Sequence, residues 1–287
     1  MRVVVHGRLR FEQDRPRLEK VLGLITNKFE DVAYTSELAE IHASGNSNSV
    51  VSTTLRKDDY DVMVSVGGDG TILESVRLVG RSEIPIFGVN AGRLGFLAST
   101  PYEELEQALN CLVNGTFQVE KRALVKAETK SGLFGEDNYA LNELSVHKSA
   151  TSSMVVVHAY LDGFFLNTYW ADGLIISTPT GSTGYSLSAG GPIIEPGTKN
   201  LIITPIAPHN LNVRPLVISD DKKITLSIED TDPNFMMSLD SQSKIVDSKV
   251  NIEVSRADFE VGLIRFETND YFDTLRSKLM WGHDRRN

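Results

Sequence analysis

Residues 62–79 read Val-Met-Val-Ser-Val-Gly-Gly-Asp-Gly-Thr-Ile-Leu-Glu-Ser-Val-Arg-Leu-Val, and this stretch decides the fold class. Val62 to Val66 is a short apolar run of the kind that makes a buried strand. It stops abruptly at Gly67-Gly68-Asp69-Gly70. From Thr71 onward Ile72, Leu73, Val76 and Val79 recur at helical spacing. Strand, glycine turn, helix is the geometry that brings bare backbone N–H groups close to a phosphate. Gly67, Gly68 and Gly70, with Thr71, form the candidate phosphate loop, because glycine removes the side chains that would block the approach. Asp69, in the middle, has the chemistry to take a proton from a hydroxyl or to help hold a metal beside a phosphate. The plain alternative is a tight turn with Asp69 as a local cap. Short glycine motifs recur often enough that this turn by itself leaves both readings open.

The flanking segments repeat the same alternation. Val3 to Val5 reads as a buried strand. Leu18, Val21, Leu22, Ile25 and Phe29 make the apolar face of a helix, with Asp14 as its N-cap and Pro16 in its first turn. Ile84 to Val89 is a further strand, and Pro101 to Leu112 a helix stopped by Asn114-Gly115. Such alternation implies a parallel sheet covered by helices, with ligands beyond the carboxyl ends of the strands. Past Phe117 the character changes to short strands: Gln118–Thr129, Tyr139–His147, Met154–Leu161, Phe164–Tyr169, Leu174–Ser177, Leu201–Pro205, Lys223–Glu229 and Val250–Val254. Asp162-Gly163 is a hairpin-turn signal. Helical periodicity is nearly absent until Tyr271–Leu279. The expected organisation is an α/β domain over 1–117, an all-β domain of β-sandwich type over 118–268, and a C-terminal helix over 269–287 that returns to the first domain.

Composition excludes several classes. The 287 residues are 41% hydrophobic, enough for real cores, and the net charge is −9. That balance argues against a general nucleic-acid or anionic-membrane binder. The single cysteine, Cys111, allows no intrachain disulfide and reads as a small core residue. No Cys/His cluster suggests structural zinc. No apolar run approaches a membrane span or a signal-peptide core, so a cytoplasmic, soluble protein is expected. His6, His42, His147, His158, His209 and His283 read as structural or surface residues.

Two more stretches carry chemistry. Residues 171–192, ADGLIISTPTGSTGYSLSAGGP, are a strand followed by a concentration of hydroxyls and glycines. Hydroxyls and bare N–H groups at this density suit a ligand with phosphates and ribose hydroxyls; the alternative is a Ser/Thr-rich surface loop. Asn142-Glu143 interrupts an otherwise apolar strand. It offers amide donors and a carboxylate acceptor, suited to ribose hydroxyls or an adenine edge, although a polar pair at a strand edge would look the same. Asp172 poses the same choice.

Taken in order, Gly67–Thr71, Asn142-Glu143, Asp172-Gly173 and Thr178–Pro192 resemble the NAD kinase family, bacterial type. With His6-Gly7-Arg8 and Asp240-Ser241-Gln242 the resemblance covers nearly the whole chain. The first motif is shared with lipid kinases and the phosphofructokinase-like group, whereas the long Thr/Ser/Gly stretch is far more specific. The resemblance implies a phosphofructokinase-like or Rossmann-like first domain, a β-rich second domain, an NAD site in the cleft between them, and assembly to dimers or tetramers. It implies transfer of the γ-phosphoryl of ATP, with a divalent metal (Mg²⁺ first among candidates; its ligands are not indicated), to the 2′-hydroxyl of the adenosine ribose of NAD.

Carried over residue by residue, Asp69 matches the general base and Gly70 its neighbouring NAD contact. Asn142 and Glu143 match the NAD-binding pair, and Asp172 a dinucleotide contact. Thr180, Thr183, Gly184, Tyr185, Ser186, Leu187 and Ser188 match the nucleotide-lining loop, with Ala207 and Gln242 as weaker contacts. Some positions depart from the pattern. Many relatives have Ala at the place of Gly184. Relatives usually read Asp-Gly-Gln where this chain has Asp240-Ser241-Gln242, so Ser241 would be strained if that turn needs φ > 0. Some carry basic residues at the places of Glu74, Ser153 and Trp170. Two competing functions share part of this pattern. A lipid or sphingoid kinase would keep the glycine-aspartate turn but leaves 178–192 unexplained. A non-catalytic NAD-sensing module would keep the pocket and lose turnover.

Overall fold

The structure is a computed structural model that describes residues 1–8, 14–41, 50–51, 55–90, 95–98, 100–148, 154–229, 234–247, 250–266 and 271–280. His42, Ser153 and His283 lie outside the described residues. The chain divides into two compact units, one of Met1–Lys121 with the described residues from Val261 onward, the other Arg122–Glu260.

The first unit contains β1 (Arg2–Gly7), α1 (Arg15–Lys28), β2 (Asp31–Thr35), α2 (Ser36–Ile41), β3 (Val50–Val51), β4 (Val62–Gly67), α3 (Asp69–Val79), β5 (Ile86–Asn90), β6 (Thr100–Pro101) and α4 (Leu105–Asn114). Val3 to Val5 and Val62 to Val66 are buried throughout, as expected of strands covered on both faces. The strand order is β3-β2-β1-β4-β5, and every pairing is parallel. α1 buries Leu18, Val21, Leu22 and Ile25 against this sheet's apolar cluster, each such side chain contributing about 1.5–3 kcal/mol. Pro16 sits in the first turn as expected. Asp14 stands at the N-cap but makes no side-chain capping bond, so the expected cap is positional only. α4 ends as the Asn-Gly signal predicts, with Gly115 left-handed at φ 68°.

The second unit contains β8 (Tyr139–Ala140), β9 (Glu143–Lys148), β10 (Val155–Leu161), β11 (Phe164–Ala171), β12 (Gly173–Ser177), the short α5 (Tyr185–Ser188), β13 (Asn200–Ile206), β14 (Leu216–Ser219), β15 (Ile224–Glu229), β16 (Asn234–Leu239) and β17 (Gln242–Asp247). Two long strands, β7 (Gln118–Thr129) and β18 (Asn251–Arg265), begin in one unit and end in the other, and α6 (Tyr271–Leu279) follows. One sheet has the order β14-β13-β12-β9-β16-β17, and β11-β10-β15 run on to the first part of β18 in another. Leu144, Val146, Leu174, Ile176, Phe235 and Met237 from one sheet share a core with Val155, Val157, Leu226 and Ile252 from the other. Alternating side chains from two stacked sheets are what a sandwich core requires.

Several boundaries differ from the sequence expectation, among them these three. The third helix begins at Asp69 rather than Thr71. The expected strand Tyr139–His147 is broken into β8 and β9 at Leu141-Asn142. The last strand runs to Arg265 instead of ending at Val254; its alternation is interrupted at Ser255-Arg256, which hides the continuation. No helix among the described residues is long and apolar enough to cross a membrane.

Candidate active site

In the first unit, the backbone at the end of β4 turns at Gly67-Gly68 straight into α3. A side chain at Gly67 would meet Thr71 Oγ1 at 2.2 Å, so only glycine allows the tight turn, whereas a Cβ at Gly68 or Gly70 meets nothing within 4 Å. The open side of Gly68 and Gly70 is where a phosphate can approach bare N–H groups. Asp69 stands in the first turn of α3, where the positive end of the helix dipole favours a carboxylate. Its orientation comes from three backbone donors. Phe96 N–H donates to Oδ2 at 2.9 Å, and Leu97 and Ala98 N–H both donate to Oδ1 at 3.0 Å. Oδ1 is thus saturated, while Oδ2 keeps a lone pair for an incoming hydroxyl. Gly95 makes this possible, since a Cβ there would lie 1.8 Å from Asp69 Oδ1.

In the second unit, Asn142 and Glu143 lie where β8 breaks off and β9 begins. The break has a physical cause. Asp240, in the turn between β16 and β17, accepts the backbone N–H groups of Leu141 at 2.7 Å and of Asn142 and Glu143 at 3.0 Å. Three consecutive donors turned to one carboxylate cannot serve a strand ladder. Asp240 adopts φ 49°. The positive φ therefore falls on Asp240 and not on Ser241, and the strain expected at Ser241 is absent.

The glycine-hydroxyl stretch docks against the same backbone. After β12, residues Thr180–Thr183 form a single 3-10 turn. Thr178 Oγ1 donates to Leu141 O at 2.6 Å and accepts Gly181 N–H at 3.1 Å. Thr178 N–H donates to Asn142 O at 2.9 Å. A Cβ at Gly181 would meet Asn142 O at 2.2 Å, and one at Gly184 would meet Glu143 Oε2 at 2.9 Å. Glu143 Oε2 is buried and unpartnered. Burial, then the charge of Asp240, push the Glu143 carboxyl up to about 8 against the opposing pull of the Tyr185 N–H. Burial also raises Asp240, to about 6, although its three N–H bonds oppose the rise. Both carboxyls are thus shifted toward the protonated form, Glu143 further than Asp240. Protonated, Glu143 offers an O–H donor as well as an acceptor, where the sequence suggested a carboxylate acceptor alone.

The other expected residues fall as follows. Asp172 pairs with Lys148 Nζ at 2.7 Å. Tyr185 is partly exposed and stacks on His147, ring centroids 5.5 Å apart, and burial holds the His147 imidazole below its usual range. Thr183, Gly184 and Leu187 are half-buried and Ser188 exposed. Thr180 and Ser186 are buried, and their hydroxyls meet Arg122 and Thr204 inside the fold. Ala207 follows β13 at φ 43°, a strained value for a residue with a Cβ. Gln242 Nε2 donates to Asp137 O at 3.3 Å. Gly95, the N–H groups of 96–98 and the support role of Asp240 escape sequence reasoning. The glycine content of 88–95 is the only local signal for the first two. Among the described residues no group of three His, Cys, Asp or Glu side chains is gathered to hold a metal.

An open parallel α/β unit with a glycine turn beyond a strand end, joined to a β-rich unit with a glycine- and hydroxyl-lined turn, is the architecture of a class of small-molecule kinases. Solved structures share it. Yeast NADH kinase complexed with NADH matches with a TM-score of 0.86 at 23% identity, covering 99% of this chain and 89% of that one. An NAD kinase from Archaeoglobus fulgidus in complex with ATP matches with a TM-score of 0.75 at 29% identity, covering 98% and 99%. The family model for the ATP-NAD kinase N-terminal domain matches residues 17–117, and that for the ATP-NAD kinase C-terminal domain matches 141–266. NAD kinase of Cytophaga hutchinsonii is 46% identical across 99% of both chains, and that of Flavobacterium psychrophilum 40% across 100% of both. The chain belongs to the NAD kinase family, and the lipid-kinase alternative has no support among these relatives.

Proposed function

We propose that this protein transfers the γ-phosphoryl group of ATP to the 2′-hydroxyl of the adenosine ribose of NAD, with Asp69 as the general base. The observation that carries the base assignment is the pinned carboxylate of Asp69, oriented by three N–H groups with an Oδ2 lone pair to spare. A ribose hydroxyl is a poor nucleophile near neutral pH. As the bond from O2′ to the γ-phosphorus forms and the bond to the β-phosphate bridging oxygen breaks, the hydroxyl proton passes to Asp69 and ADP leaves. General-base help of this kind is worth ~10²–10⁴-fold. Positioning supplies much of the remainder.

Asn142, Glu143 and the turn over Thr180–Ser188 take the NAD ribose and adenine, with Asp172, Ala207 and Gln242 at the margin. Gly67, Gly68, Gly70 and Thr71 receive phosphate. The names of the relatives, with ATP in one solved structure and NADH in another, support this pairing of substrates. A divalent cation, Mg²⁺ first among candidates, would be carried by the ATP phosphates rather than by a dedicated protein site and would supply charge neutralisation there. The enzyme is proposed to act in the cytoplasm as a dimer or tetramer.

The test is to mix purified protein with NAD, ATP and Mg²⁺ and to detect NADP with a dehydrogenase that accepts only NADP. NADP formation supports the kinase. Retained NAD binding without NADP would instead favour the sensing module.

A further inference from the structure

We propose that Arg8 binds the phosphates of the donor nucleotide, and that Glu74 and His6 are positioning residues that aim it; this rests on the kinase reading above. The argument begins with register. In the parallel pair of β1 and β4, Gly7 lies opposite Val66. Arg8 therefore leaves β1 level with Gly67, one strand away from the glycine turn. The order β3-β2-β1-β4-β5 reverses direction between β1 and β4. In open α/β sheets the crevice beyond the carboxyl ends of strands at such a reversal is where ligands sit. Arg8 is thus a cation placed at that reversal by the chain path itself.

A chain of contacts holds it there. Arg8 Nη1 meets Glu74 Oε1 at 2.8 Å, and His6 Nε2 meets Glu74 Oε2 at 3.2 Å. His6 is 2% exposed, and its Nδ1 lies 3.1 Å from Thr35 Oγ1. With Nε2–H donating to Glu74, Nδ1 accepts the Thr35 hydroxyl, and the imidazole is fixed from both sides. Glu74 lies on α3 with a side chain 19% exposed, while Arg8 is 59% exposed. One carboxylate oxygen occupies only part of a five-donor guanidinium, so further N–H donors remain on a side chain that is largely exposed. A lone carboxylate on α3 would repel a polyphosphate. Paired with Arg8, it becomes the support that turns a guanidinium toward one. The sequence pattern left Glu74 as a departure where some relatives carry a basic side chain; here the cation comes from β1 instead.

The experiment measures ATP affinity by calorimetry and both KM values by the coupled NADP assay, for the full chain and for Arg8→Ala, Arg8→Lys and Glu74→Gln. Loss of charge-assisted bonds to phosphate predicts that Arg8→Ala weakens ATP binding and raises KM for ATP by about 10- to 100-fold, with KM for NAD unchanged. Arg8→Lys recovers part of the loss because it keeps the charge and the Glu74 pair. Glu74→Gln gives a smaller rise confined to ATP. Unchanged ATP affinity in Arg8→Ala, or an equal rise in both KM values, overturns the assignment. Unchanged KM for ATP in Glu74→Gln removes its positioning role. A wild-type protein that binds ATP through Arg8 but makes no NADP would overturn the kinase reading and leave the phosphate contact standing.

Discussion

The Asp240 carboxylate accepts the Glu143 backbone N–H at 3.0 Å, and its charge is one of the two forces that push the Glu143 carboxyl up to about 8. One residue thus sets both the place and the protonation of another. Asp240→Asn removes the charge and turns an NH₂ group toward backbone donors it cannot serve. The Glu143 carboxyl should then titrate lower than about 8, as read by carboxyl NMR. The loss of a satisfied buried acceptor should cost about 1–3 kcal/mol of stability, and KM for NAD should rise. An unmoved Glu143 titration would show that burial acts without Asp240.

Glu143 also predicts how stability depends on pH. Its folded pKa is raised, so between the ordinary glutamate range and about 8 the folded chain holds a proton that the unfolded chain has released. The stabilisation is complete below the unfolded pKa and is lost as pH rises through the folded one. Glu143→Gln, which cannot ionise, should match wild type in denaturant unfolding near pH 4 and exceed it at pH 9 by on the order of a few kcal/mol. Equal stability at both pH values would contradict a buried, proton-holding Glu143.

Asp69→Asn should lower kcat by roughly 10²–10⁴-fold while NAD binding, measured by calorimetry, stays near wild type. With its amide oxygen facing Leu97 and Ala98, the asparagine must point NH₂ at the Phe96 N–H, which now donates to Oδ2 at 2.9 Å. A fall of about 1–2 kcal/mol in stability should accompany the loss of turnover. Full activity would remove Asp69 from the base role.

Two glycine substitutions separate packing from ligand approach. Gly181→Ala presses a Cβ to within 2.2 Å of the Asn142 carbonyl oxygen, a backbone atom that cannot swing away. It should lower Tm and raise KM for NAD more than about tenfold, through displacement of Asn142. Gly68→Ala meets nothing within 4 Å and sits at φ −103°, which alanine tolerates. It should leave Tm unchanged, yet raise KM for ATP, because its methyl covers the bare backbone. A wild-type KM for ATP would show that phosphate does not approach at Gly68.

By itself the sequence determined the elements whose cause is local. The valine runs at Val3–Val5 and Val62–Val66, the helical spacing after Thr71, the left-handed stop at Gly115 and the density of glycines and hydroxyls after Ser177 all mark structure within a few residues of themselves. Their order along the chain was enough to indicate two domains and a family. Tertiary structure alone decided how the candidate groups are held. Asp69 is oriented by N–H groups of residues 96–98, and the strand is broken at Leu141-Asn142, just before Glu143, by Asp240, almost a hundred residues later. It also decided that Thr180 and Ser186 turn their hydroxyls inward, and that burial and Asp240 shift Glu143 toward its protonated form. Backbone donors carry no residue-type signature, and a carboxyl's protonation depends on burial and on neighbouring charge. Both exist only once distant segments have packed together.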